Sequence, residues 1–194
     1  MSDALCRALF TGLVLLVAVQ RLAELRTSAR NERLLRARGA REHAAGQMPV
    51  MRAVHTLWLV GMLVEVWALD RVPTPWVAAP ALALFCVGQG LRLLAMRSLG
   101  ERWNVKILTL PGAPPVTGGV FGHVRHPNYL GVVIEIATLP LVGGAVITSI
   151  VMSLANAVLL AFRIRAEESA LREDNAYDRM ADRPMLVPRA ARRP

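Results

Sequence analysis

Two stretches of this sequence set ionisable groups against long apolar runs: GHVRHPNYLG at residues 122–131 and RIRAEESALRE at residues 163–173. In the first, Pro127 suits the opening turn of a helix, where its missing N–H costs no hydrogen bond. A helix beginning near Asn128 then carries Arg125 and His126 at its amino-terminal end. Free N–H groups and the positive end of the dipole gather there and attract a carboxylate or a phosphate. The same residues also suit a membrane-interface anchor, with Arg and His reaching outward and Tyr129 in the aromatic belt. In the second stretch, Arg163 and Glu167 share a helix face, and Asn156 lies on it two turns earlier. That stripe reads either as a polar site running out of the bilayer or as i,i+4 ion pairs worth a few tenths of a kcal/mol each. Glu168, with Arg165 and Arg172 nearby, reads as an ordinary solvated ion pair.

A third stretch, GERWNVKIL at 100–108, places Trp103 beside Asn104 and Lys106. Trp103 suits a surface anchor or an aromatic wall for a cation. His123 and His126 form H-x-x-H, but Glu167 is the one further ligand to hand, so no metal site is expected. No G-x-G-x-x-G follows a strand, and there is no P-loop or nucleophile elbow. Cys6 and Cys86 both lie in apolar segments and give neither a disulfide framework nor a metal motif.

The elements that must position these groups are membrane helices. The chain of 194 residues is 54% apolar, and its apolar residues come in blocks at 8–19, 54–69, 76–96 and 130–162. The first three each span or nearly span a bilayer core of about 30 Å. The fourth is too long for one span, and Pro140 with the Gly143-Gly144 pair divides it into a helical hairpin. An all-α integral membrane protein with about five transmembrane helices is expected. The first block is read as a retained helix rather than a signal peptide, because Asp3 sits in the n-region and no small-x-small site follows Val19. The helix is expected to continue through Ala23–Arg38, with Gly39 and Gly46 breaking it.

The net charge of +9 is distributed in a way that argues against nucleic acid. Arginines cluster at 21–41, basic residues recur at 97–125, and more arginines follow from 163 onward. The links at 70–75 and 143–144 are poor in them. This positive-inside pattern puts the N-terminus outside and the C-terminus in the cytoplasm. A nucleic-acid face would also need stacking aromatics or a known module.

In this order on a five-span chain, these clusters resemble the isoprenylcysteine carboxyl methyltransferase family of membrane methyltransferases. The resemblance rests on RHPNYLG at 125–131, RIRAEESAL at 163–171 and Pro188, and covers roughly residues 76–188. GERWNVKIL, RHPNYLGVVIE and NAVLLAFRIRAEE bring it nearest a small bacterial branch, some members of which methylate alkylpyrone or alkylresorcinol-type lipids. It implies one domain over residues 1–194. Residues 1–75 supply two spans and a basic loop, and 76–194 the family core with a cytoplasmic pocket for S-adenosylmethionine. Arg125 and His126, with Pro127 and the helix start, would take the cofactor carboxylate. Glu167 would take a cationic or hydroxyl group, and Tyr129 and Trp103 the sulfonium or adenine. His123 and Asn156 complete the expected cofactor set. Many members carry two Tyr after the Glu pair, whereas Tyr177 here stands alone before Met180. The implied setting is a bacterial inner membrane, with membrane lipid around the chain and a lipophilic small molecule as methyl acceptor.

Arg163, Glu167 and Glu135 are the candidate catalytic residues. Glu135 lies seven residues past Asn128, so about 10 Å along the helix. A carboxylate at that depth needs a partner or an interior-facing role. It is either an ion-pair partner of Arg92 or an acceptor-pocket group that binds or deprotonates a hydroxyl. RHPNY ahead of an apolar helix also occurs in membrane sterol and steroid reductases that use NADPH. The Glu167-Glu168 pair favours methyl transfer over that reading, and over a non-enzymatic scaffold.

Overall fold

The computed structural model describes residues 2–175, 177–180 and 182–186; Pro188 lies outside them. Helix α1 (Asp3–Ala37) is followed by a short strand β1 (Arg41–His43), then α2 (Gln47–Ala68) and α3 (Pro75–Leu99). After a loop, β2 (Ile107–Thr109) precedes α4 (Pro127–Val142) and α5 (Val146–Asn175). The all-α expectation holds, with one addition. The loops after α1 and α3 pair as an antiparallel β1–β2 ribbon, in register Arg41 to Thr109 and His43 to Ile107.

Among the described residues, four helices are long and apolar enough to cross a membrane: α1, α2, α3 and α5. The fifth expected span, α4, has 16 residues. It rises about 24 Å, less than a bilayer core. The shortfall has a physical reason. Tyr129, Val132, Glu135, Ile136 and Leu139 of α4 are all buried, so protein rather than lipid surrounds much of it. Of the two expected break points, Pro140 and the Gly143-Gly144 pair, the second is where the hairpin turns. Helix α4 runs on through Pro140, and the chain turns at Gly143-Gly144, where Gly144 has φ +81°. Pro140 has no N–H to give the Ile136 carbonyl. Trp58 Nε1, from α2, donates to that carbonyl instead at 3.2 Å.

Helices α3 and α4 approach closely through glycine. A Cβ on Gly131 would sit 2.5 Å from Arg92 Cγ and 2.8 Å from the Gly88 carbonyl oxygen. Small residues at such a crossing let two membrane helices touch backbone to backbone. The core below is apolar, built from Phe10, Val14, Trp58, Met62, Ile136 and Leu139.

The two ends of the bundle differ in charge. At one end Arg7 pairs with Asp70, and the α4–α5 turn packs against the Val72 carbonyl. At the other end lie the ribbon, the loops around it and the far end of α5. Arg41, His43 and Thr109 all meet Asp174 there. Three basic segments of the sequence therefore gather at one end of the molecule.

Candidate functional site

The loop that starts after α3 is held by α1 before it reaches any site. Asn104 Nδ2 donates to the Ser28 carbonyl at 2.9 Å, and Ser28 Oγ donates to Asn104 Oδ1 at 3.0 Å. Asn31 Nδ2 donates to the Trp103 carbonyl at 2.8 Å. Lys106 Nζ binds Glu32 at 2.7 Å, and that bond raises the lysine above its ordinary value, so it stays charged. Asn104 and Lys106 thus tie the loop to α1, while the buried Trp103 ring turns to the interior. From α5, Asn175 Nδ2 donates to the Leu110 and Ala113 carbonyls at 2.7 Å each.

Inside this frame lies a cavity of about 460 Å³, within the usual range of small-molecule sites. Trp103, Arg125, His126, Pro127, Tyr129, Asn156, Arg163 and Glu167 all line it. Arg163 anchors the wall: its Nε donates to the Tyr129 hydroxyl at 3.0 Å, and its Nη2 donates to the Val105 carbonyl. The Tyr129 hydroxyl in turn donates to Glu167 Oε2. The His126 ring stacks on Tyr129, with centroids 5.4 Å apart.

Two expected site residues lie elsewhere. His123 is exposed and does not line the cavity. Glu135 is 2% exposed and sits outside the cavity lining, bound through Oε2 by Arg21 Nη2 at 2.7 Å and Arg92 Nη1 at 2.9 Å. The same two arginines reach Glu24 Oε2, at 2.6 Å and 2.5 Å. Two positive and two negative groups from α1, α3 and α4 thus balance one another inside the bundle. The Arg92 partnership is the structural alternative weighed for Glu135 from its depth.

Glu168 departs from the solvated role expected of it. It is buried, and Arg125 Nη1 donates to its Oε1 at 2.6 Å, as does His126 Nε2 at 3.0 Å; Arg172 reaches Oε2 at 3.2 Å. The 100° step between adjacent helix residues separates the two glutamates. Glu167 faces the cavity, and Glu168 holds the RHP segment onto α5. The segment's backbone is occupied too: Arg125 N and His126 N donate to the Pro184 and Met185 carbonyls, each at 3.0 Å. Arg125 and His126 are therefore parts of a clamp as well as of the wall.

Sequence reasoning named Asn156 but missed Asn128 and Asn175 among the lining residues. Asn128, Asn156 and Asn175 each turn an amide oxygen without a partner into the buried interior. These acceptors suit a ligand rich in N–H and O–H donors. Arg21, Glu24 and His55, from α1 and α2, also line the cavity. Polar residues at membrane depth were the available signal for them. Tyr177 closes the far side. Burial pushes its phenol above the ordinary value, and Glu167 and Glu168 add to that, so it remains a neutral donor.

The wall changes character along its length. Arg125, His126, Glu167, Asn175 and Tyr177 surround the end near the ribbon, and Ala18, Leu22, Leu59 and Val132 surround the other. Leu22 and Leu25 line the cavity and are also 58% and 41% exposed, so the apolar end reaches the outer surface of α1.

A family model described as the isoprenylcysteine carboxyl methyltransferase (ICMT) family matches residues 81–173. An uncharacterised protein of Bacillus subtilis, YpbQ, is 37% identical over 165 residues, which cover 85% of this chain and 98% of its own. An uncharacterised protein of Haemophilus influenzae is 28% identical over 152 residues, covering 78% of this chain and 88% of its own.

Proposed function

The chain belongs to the isoprenylcysteine carboxyl methyltransferase family, and from that premise we propose that this integral membrane methyltransferase uses S-adenosylmethionine to methylate an oxygen of a lipophilic small molecule. The observation that carries this reading is the cavity itself. It is one continuous space, charged and amide-lined at one end, apolar and open to the bilayer side at the other. A charged cofactor and a greasy acceptor need those two environments within reach of each other.

The residues present fit the cofactor. The unpartnered oxygens of Asn128, Asn156 and Asn175 accept from its ammonium, ribose and adenine donors. Glu167 keeps its second oxygen for the same purpose, since Tyr129 uses only Oε2. Arg125, whose Nε has no partner, and the opening turn of α4 suit a carboxylate. When bound, S-adenosylmethionine supplies an electrophilic methyl group. The chain's part is to orient the two molecules and keep water out.

The acceptor in this reading is a phenol or enol on an alkyl tail, of the alkylpyrone or alkylresorcinol kind. The charged end faces the cytoplasm of a bacterial cell, and the N-terminus lies outside. Titration calorimetry on the purified protein tests the core of the proposal. Adenosylmethionine is expected to bind and NADPH not to. Labelled adenosylmethionine with a bacterial lipid extract should then transfer its methyl to an extractable lipid. Binding of NADPH in its place would turn the assignment toward a reductase.

A further inference from the structure

Among the described residues, two imidazoles line the cavity: His126, at its charged end, and His55. His55 sits half-buried on α2, and its Nδ1 lies 2.9 Å from the Met51 carbonyl. A carbonyl only accepts, so Nδ1 carries the proton and Nε2 of the neutral ring carries a lone pair. Nε2 has no partner among the described residues. The other candidates for a base serve the charged end. His126 is held through Nε2 by Glu168 and stacked on Tyr129, Glu167 accepts from Tyr129 through Oε2, and Lys106 is held by Glu32. Glu135 lies outside the lining, and the Tyr177 phenol stays protonated.

The position of His55 matters as much as its chemistry. Thr56 and Leu59 of the same helix line the cavity beside it, and Leu22 and Leu25 lead from the cavity to the surface of α1. A tailed acceptor entering between α1 and α2 would pass His55 before it met the charged end. Arg21, also on this wall, gives both Nη atoms to Glu24 and Glu135 and keeps only its Nε without a partner.

We propose that His55 is the general base for the acceptor hydroxyl, its Nε2 taking the proton as the oxygen is methylated. This rests on the methyl-transfer reading above. The acceptor O–H bond breaks and its proton goes to Nε2. The oxygen forms a bond to the methyl carbon, the carbon–sulfur bond breaks, and its electron pair stays on sulfur. The positive charge passes from sulfonium to imidazolium, which releases its proton to water. A carboxylate acceptor, already ionised near neutral pH, would need no such base.

The test uses full-length protein, His55→Asn and His55→Gln. The acceptors are single-tailed alkylphenols whose ring substituents step the hydroxyl acidity from an ordinary phenol to a nitrophenol. For the least acidic phenol, kcat is expected to fall about 100-fold in both variants with little change in KM. The loss should shrink toward none for the nitrophenol, and adenosylmethionine affinity should match wild type. Wild-type kcat throughout, or an equal loss on every phenol, or two variants that fail to fold, overturns the base role. Wild-type protein that binds no adenosylmethionine overturns the methyltransferase reading instead, which the parallel calorimetry separates.

Discussion

The two ends of the cavity are built in opposite ways. At the charged end, Arg125, His126, Arg163, Glu167 and Asn175 are each held by a bond to another segment. Arg163 is fixed to Tyr129 and Val105, Glu168 to Arg125 and His126, and Asn175 to two carbonyls of the loop after β2. At the membrane end, Ala18, Leu22 and Leu59 have only van der Waals surface to offer. Directional bonds fix positions to fractions of an ångström, whereas apolar packing tolerates exchange of shape at constant volume. The family model matches residues 81–173, and these hold most of the bonded wall. Helices α1 and α2, which furnish most of the apolar wall, lie outside that range. The molecule thus separates a rigid site for chemistry from a wall whose shape can be altered.

That contrast predicts which substitutions damage what. The largest effect is expected at Glu135→Gln. It leaves Arg21 and Arg92 with Glu24 as their one carboxylate, and breaking such a buried set costs about 3 kcal/mol or more. Thermal unfolding in detergent should show the loss, while the remaining folded protein binds adenosylmethionine normally. Unchanged stability would mean that the four groups are not mutually balanced. Next comes Arg163→Ala, which frees both Tyr129 and the loop at Val105. Turnover should drop about 100-fold, the size of a small misplacement of reacting groups. A variant with more than a tenth of wild-type kcat would show the charged end to be less rigid than its bonds imply.

Glu168→Gln is expected to weaken cofactor affinity about tenfold, since it loosens the clamp on Arg125 and His126 without touching the cavity itself; loss of a charged hydrogen bond is of that order. Calorimetry would refute the clamp should affinity stay the same. The smallest effect belongs to Leu59→Phe at the apolar end. It should change KM for a long-tailed acceptor about threefold, less than the roughly tenfold or more of a methylene misfit in a closed pocket because this wall opens to the surface, and leave cofactor affinity alone. A cofactor effect from Leu59 would erase the distinction between the ends.

Much of this division could be read from residue order. Hydropathy blocks located α1, α2, α3 and α5, and helical spacing put Asn156, Arg163 and Glu167 on one wall. Other features were hidden for physical reasons. Strands β1 and β2 have three residues each, too few to show a period of two. Arg21 and Glu24 follow the first apolar block where the helix is expected to run on, but nothing local shows that this face of α1 packs beside Arg92. Adjacent glutamates could be separated by angle, but which of them meets the RHP segment depends on how α4 packs on α5. His123 and His126 looked alike in sequence. One is exposed and the other buried because the chain turns between them into the first turn of α4.

Glu65, near the far end of α2, accepts from Ile147 N at 3.0 Å, Thr148 N at 2.7 Å and the Thr148 hydroxyl at 2.8 Å. The opening turn of α5 is therefore capped by a side chain made some eighty residues earlier. In the order of synthesis, Glu65 is already in the bilayer when the final hairpin arrives. The hairpin's first free N–H groups then find their acceptor on a helix that has been waiting for them. A chain starting after α2 would have to insert the hairpin with those donors bare.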